Sequence, residues 1–190
     1  MPDPGGDRRT FLRRAFGDTV ERFARATEAR VVRQRYVRPP GAISEVAFLT
    51  ACTRCGECAR VCPAGAILHV NAEGGLAAGT PYLEPARIPC LACPDMPCVA
   101  ICPTAALTTP VDGWLNERLG RVELHPERCI TFQGQPCGVC ARACPVGASA
   151  LAMDDDGRPV LKAEGCVGCG ACVRECITIP SSFTFHAGNR

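Results

Sequence analysis

Near the start of the chain, apolar positions recur with a helical period. Phe11, Phe16, Val20, Phe23, Thr27 and Val31 follow one another at steps of about four, with Arg and Glu between them. This spacing predicts an amphipathic helix. Further along, residues 64–67, 104–107 and 147–151 are runs of mostly small residues that read as short helical turns. Residues 120–125 and 156–161 read as β-hairpin material, and Asp154-Asp155-Asp156-Gly157 reads as a turn. The longest uncharged run, residues 96–111, contains Pro97, Pro103 and Pro110. It is shorter than the roughly 20 apolar residues of a membrane span, so the chain is expected to be soluble, with peripheral membrane contact left open.

Composition changes this picture. The 190 residues include 16 Cys but only seven Phe, two Tyr and one Trp, too little bulky apolar material to organise a chain of this length. Metals or cross-links must supply what the core lacks, and metal binding should then be coupled to folding. Charge divides the chain as well. Residues 8–38 carry ten Arg against Asp18, Glu21 and Glu28, and Pro39-Pro40-Gly41 follows. The expected organisation is an Arg-rich helical arm over residues 1–38 and a cysteine-rich body over residues 39–190.

The cysteines fall into four sets of four. These are Cys52, Cys55, Cys58 and Cys62; Cys90, Cys93, Cys98 and Cys102; Cys129, Cys137, Cys140 and Cys144; and Cys166, Cys169, Cys172 and Cys176. Pro63, Pro103 and Pro145 follow the first three sets, and Ile177 follows the last. The outer sets have the C-x2-C-x2-C-x3-C spacing of bacterial ferredoxins; the inner two carry x4 and x7 insertions. Three thiolates on a tight loop can reach three corners of one cubane. The fourth, expected at the start of a short helix, faces a neighbouring cluster. Gly56, Gly138, Gly168 and Gly170 lie between ligands, where backbone passes close to sulfur. A disulfide framework would leave the repeat and the Cys-Pro junctions unexplained. Structural zinc prefers two C-x2-C pairs on a longer spacer. A c-type haem needs Cys-x2-Cys-His, and no cysteine here precedes a His. All sixteen cysteines are therefore expected to ligate four [4Fe–4S] clusters.

The expected fold is α+β: two bacterial-ferredoxin-type dicluster units behind the N-terminal amphipathic helix. The two regular motifs are outermost and the two irregular ones innermost. On that ground motifs two and three are expected to share one unit, and motifs one and four the other, with Cys62 beside Cys166, Cys169 and Cys172. Arg54, Arg60, Arg142 and Arg174 sit in or beside the ligand loops and are candidates for tuning potential; ordinary solvated loop arginines are the alternative.

Several stretches together resemble the NapG/MauM family of ferredoxin-type proteins, over roughly residues 38–180. They are Arg38-Pro39-Pro40-Gly41-Ala42-Ile43 ahead of Phe48, Ala78-Gly79-Thr80-Pro81-Tyr82 ahead of Ile88-Pro89-Cys90, Asp95-Met96-Pro97-Cys98 with Cys102-Pro103-Thr104, and Phe132-Gln133-Gly134. The resemblance implies electron transfer through four [4Fe–4S] clusters. The partners it implies are a membrane quinol dehydrogenase and a periplasmic reductase or amine dehydrogenase system. Asp7-Arg8-Arg9-Thr10-Phe11-Leu12-Arg13 is similar to a twin-arginine motif. Export also takes an apolar stretch of about 7–15 residues, and between Arg14 and Tyr36 no uncharged run exceeds three residues. A cytoplasmic location is expected, with the periplasm as alternative. The arm packs on the body, docks a redox partner or an anionic surface, or is an atypical export signal.

No nucleotide loop, nucleophile elbow or other catalytic constellation accompanies the cysteines. His69, His125 and His186 are scattered and read as surface or loop residues, and Trp114 reads as packing. The expected function is electron transfer between a redox donor and an oxidoreductase, without a substrate site and without a nucleic-acid partner. Two alternatives stay open: an iron–sulfur subunit of a larger oxidoreductase, for example a molybdopterin enzyme, and an accessory factor for metalloenzyme maturation.

Overall fold

The structure is a computed structural model and describes residues 36–188. The amphipathic helix and the twin-arginine-like stretch fall outside the described residues. Regular elements are short, as the scarcity of apolar periodicity implies. Among the described residues, six strands form three two-stranded antiparallel sheets, and no helix is long and apolar enough to cross a membrane.

The first half is built around α1, Glu45–Ala51, whose Phe48 is fully buried. Strands β1, Ile67–His69, and β2, Pro81–Leu83, pair with Ile67 opposite Leu83. Val37 adds a bridge to Leu83, and Ala42 one to Leu107. Ala66, Ile67, Leu83, Met96, Val99, Ala106, Leu107 and Leu119 close the core around Phe48. Arg38, only 3% exposed, ties these pieces together. Its guanidinium pairs with the Glu45 carboxylate at 2.6 and 3.0 Å and donates to Thr80 Oγ1 and the Pro81 carbonyl at 2.9 and 2.7 Å. It also lies over the rings of Phe48 and Tyr36, 4.7 and 5.3 Å from their centroids. So the Arg38–Pro40 stretch and the Thr80-Pro81 stretch, 42 residues apart, meet in space.

The second half holds the other two sheets. Strands β4, Leu151–Met153, and β5, Pro159–Leu161, form the expected hairpin. Asp154 makes its turn by accepting the Gly157 N–H at its carbonyl and the Arg158 N–H at its carboxylate. The stretch around β3, Gly120–Leu124, was expected in a local hairpin as well. It pairs instead with β6, Phe183–Ala187, at the far end of the chain, with Leu124 opposite Phe183 and Gly120 opposite Ala187. Alternating Gly120, Val122 and Leu124 mark a half-buried strand but carry no information about its partner. The core here is smaller: Val122, Leu151 and Phe183, with buried Cys140 and Cys172.

The halves meet at a tight joint. The Cys90 N–H donates to the Cys169 carbonyl at 3.0 Å, and the Leu119 N–H to the Val167 carbonyl at 2.9 Å. At Gly170 (φ +84°) a Cβ would stand 2.1 Å from the Pro85 carbonyl oxygen, so only glycine fits this approach. Trp114 packs across the joint against the buried cluster of Val167, Cys169 and Ala171, its Nε1–H donating to the Cys93 carbonyl at 2.8 Å.

Candidate metal centres

Each ligand loop uses the same local device. The backbone turns left-handed and then enters a one-turn helix that carries the third cysteine of its set. The turn residues are Gly56, Met96, Gly138 and Gly170, with φ between +41° and +109°. The helices are α2 (Glu57–Arg60), α3 (Pro97–Ala100), α4 (Val139–Ala143) and α5 (Ala171–Arg174), and their Cys58, Cys98, Cys140 and Cys172 are buried. Helices this short have no stability of their own; α2 packs on α3 and α4 on α5. The fourth cysteines were expected to open a helix, but they lie just past the end of one. Cys144 already has extended backbone (φ −70°, ψ 114°) because Pro145 follows it. Of the three expected helical turns beyond the fourth cysteines, only residues 147–149 make a helical turn, of the 3-10 type. After Cys62 and Cys102 the backbone N–H groups turn to sulfur instead: Ala66 N–H reaches Cys62 Sγ at 3.4 Å, and N–H groups of Thr104, Ala106 and Leu107 serve Cys102.

The sixteen thiols, all free, assemble into four groups of four. Cys58 has Cys52, Cys55 and Cys102 as charge neighbours. Cys62 joins Cys90, Cys93 and Cys98 around one shared cavity. Cys144 joins Cys166, Cys169 and Cys172 around a second. Cys129, Cys137, Cys140 and Cys176 surround a third. Motif one therefore pairs with motif two, and three with four, each exchanging its fourth cysteine. The expected pairing of two with three and one with four is incorrect. Regularity of spacing is a property of each loop, whereas pairing is set by α2 on α3 and α4 on α5. The groups stand in series: Cys98 neighbours Cys58, Cys169 neighbours Cys90, and Cys172 neighbours Cys140.

Among the described residues no three His, Cys, Asp or Glu side chains converge as a single metal ion requires. The thiols line cavities instead, and an all-cysteine donor set suits iron–sulfur chemistry. Burial is the main influence on them. It pushes the Cys58, Cys90 and Cys140 thiols up to about 11, and Cys98 and Cys169 to about 12. Such groups ionise when a bound cation compensates the thiolate charge. Arg54 and Arg60, considered for that role, are engaged elsewhere. Arg54 braces the carbonyls of Cys52, Leu76 and Ala78, and Arg60 pairs with Glu57.

Hydroxyls do reach sulfur, which the sequence reading missed. Thr131 Oγ1 is 3.1 Å from Cys129 Sγ, and Thr178 Oγ1 is 3.2 Å from Cys176 Sγ. The Ser182 N–H donates to the same Cys176 sulfur at 3.3 Å. Burial raises Cys176, but the Thr178 hydroxyl and the Ser182 and Thr178 N–H groups outweigh it and bring the thiol down to about 7. The signal was legible as Cys-x-Thr, found at Cys102-Pro103-Thr104, Cys129-Ile130-Thr131 and Cys176-Ile177-Thr178.

A 4Fe-4S binding domain matches residues 48–68, and 4Fe-4S dicluster domains match residues 89–148 and 121–177. The 89–148 match joins motifs two and three, which fold into different pairs; similar intervals satisfy a linear pattern however the motifs pair in space. The chain is 38% identical over 152 residues to the ferredoxin-type protein NapG of Escherichia coli (strain K12), covering 74% of this chain and 66% of that protein. It is 36% identical over 151 residues to the methylamine utilization ferredoxin-type protein MauM of Paracoccus denitrificans (strain Pd 1222), covering 75% and 67%. With MauM of Methylophilus methylotrophus it shares 33% identity over 181 residues, 90% of this chain and 80% of that one. The chain thus spans about two thirds of the first two relatives. Motif order, thiol groups and these relatives agree, and the chain belongs to the NapG/MauM family of iron–sulfur ferredoxin-type proteins.

Proposed function

We propose that this protein conducts single electrons between two redox protein partners, with sixteen cysteines holding four [4Fe–4S] clusters. The observation that carries the reading is the series of four four-thiol groups, linked at its centre by the Cys90–Cys169 backbone hydrogen bond. A cluster supplies a one-electron site whose charge is spread over iron and sulfur. The chain's own residues then have three tasks. Cys52, Cys55, Cys58 and Cys102 hold one site; Cys62, Cys90, Cys93 and Cys98 the next; Cys144, Cys166, Cys169 and Cys172 the third; Cys129, Cys137, Cys140 and Cys176 the last. The close Gly170–Pro85 contact keeps the two middle sites adjacent. Backbone N–H groups and hydroxyls aimed at sulfur set the potentials.

A membrane quinol dehydrogenase as donor and a reductase or amine-oxidising system as acceptor fit the family, and a cytoplasmic location remains part of the proposal, to be tested by fractionation. The decisive experiment is anaerobic isolation with iron and sulfide analysis, followed by stepwise reduction monitored by electron paramagnetic resonance. About 16 iron and 16 sulfide per chain and four one-electron steps are expected. A reproducible value near eight iron would overturn the four-site reading.

A further inference from the structure

The terminal group of Cys129, Cys137, Cys140 and Cys176 differs from the others in what faces its sulfurs. Two of its four sulfurs meet a threonine hydroxyl at 3.1–3.2 Å. The comparable hydroxyl elsewhere among the described residues, Thr104, stays 3.9 Å from Cys102. The middle groups meet backbone donors: Ala66 and Ala92, each 3.4 Å from sulfur, in the second group, and the Gly168 and Ala171 N–H groups in the third. A metal-bound thiolate has no proton, so each threonine must be the donor. Thr178 then has its own oxygen free to accept, and Ser182 Oγ stands 2.9 Å from it. Ser182 is fully buried, and its carbonyl is pinned by the His125 N–H at 2.7 Å just ahead of the β3–β6 pair. The result is a fixed relay, Ser182 to Thr178 to Cys176, in which each O–H polarises the next.

The geometry points to Thr131 and Thr178, backed by Ser182, as positioning residues that make this terminal site the one of highest reduction potential. The inference rests on the cluster reading given above. In the step concerned, one electron arrives from an external one-electron reductant, no bond forms or breaks, and the hydroxyl protons stay on oxygen. Reduction adds one negative charge to iron and sulfur. An O–H donor to sulfur stabilises the more negative state more than the less negative one, and so raises the potential. Charge-assisted bonds at two of four ligands, against long or backbone contacts elsewhere, place the electron sink at this end.

The test is a redox titration of the iron-loaded full chain with dithionite, followed by electron paramagnetic resonance. Thr178→Val and Thr131→Val should each move the highest of the four one-electron waves downward, by about tenfold in the reduced-to-oxidised ratio at fixed potential, or about 59 mV. The other three waves should stay in place. Thr178→Ser, which keeps the hydroxyl, should restore the wave, and Thr104→Val should move no wave by a comparable amount. Unmoved waves in both valine variants would overturn the inference, as would a shift in a wave other than the highest. Should Thr178→Val lose iron, Ser182→Ala carries the measurement: it removes only the outer hydroxyl of the relay, and an unshifted highest wave there would overturn the assignment. Absence of iron in the unmodified chain would instead count against the cluster reading itself.

Discussion

The two halves repeat one design but are held together by different means. In the first, Phe48 and ten other buried residues make a core, and Arg38 stitches residues 38, 45, 80 and 81 together. In the second, the main buried cluster has five members, two of them cysteines. There the sheet that closes the unit joins residues about 60 positions apart in the chain, from Leu124 with Phe183 to Gly120 with Ala187. The first half is organised by packing around its thiols; the second is organised largely by the thiols themselves. A repeated ligand pattern therefore does not imply repeated stability.

Metal removal tests this most severely. Anaerobic chelation should abolish cooperative unfolding of the body as a whole. Hydrogen exchange should leave its slowest amides around Phe48 and β2, with protection lost throughout β3 and β6; the opposite pattern would break the comparison. Reloading should favour higher pH. Burial holds Cys58, Cys90 and Cys140 up to about 11, and Cys98 and Cys169 to about 12, so they stay protonated near neutrality until a metal is bound. Loading releases those protons, so iron uptake at equal supply should be greater at about pH 8 than at about pH 6. Phe48→Ala comes next. It removes a ring that is fully buried in the first core and should cost about 3–5 kcal/mol in denaturant unfolding of the holo-protein. Arg38→Met should cost about 2–3 kcal/mol, less than a fully buried pair would, because Glu45 keeps 24% side-chain exposure and can hydrate. The smallest effect belongs to the second half: Gly157→Ala, at φ +73° in the exposed β4–β5 turn, should cost about 1 kcal/mol and leave iron content unchanged.

What could be read from the residues follows the range of the forces involved. The ligand sets are local, and Cys-Pro junctions and glycines announce them. The β4–β5 hairpin is local too, and Asp154 and Gly157 mark its turn. Motif pairing is not local: it depends on Cys102 reaching Cys58 and on Cys176 reaching the cavity lined by Cys129, Cys137 and Cys140, which intervals of similar length leave open. The strand at Gly120–Leu124 shows its face but not its partner, which lies beyond the last motif. Thr131 and Thr178 carried a readable Cys-x-Thr spacing. Ser182 did not, because only the β3–β6 sheet and the loop ahead of it bring it back to Cys176. Arg38 and Thr80 stood out as parts of a resemblance, and the structure supplies the reason: they are two ends of one hydrogen bond.

The joint at Gly170 has a consequence for how such a molecule can be used. With the Pro85 carbonyl where a methyl group would otherwise go, and with Cys90 bonded to Cys169 across the seam, the described halves touch main chain to main chain. The step between the two middle thiol groups is thus written in main chain, so no change of side-chain rotamer can lengthen it.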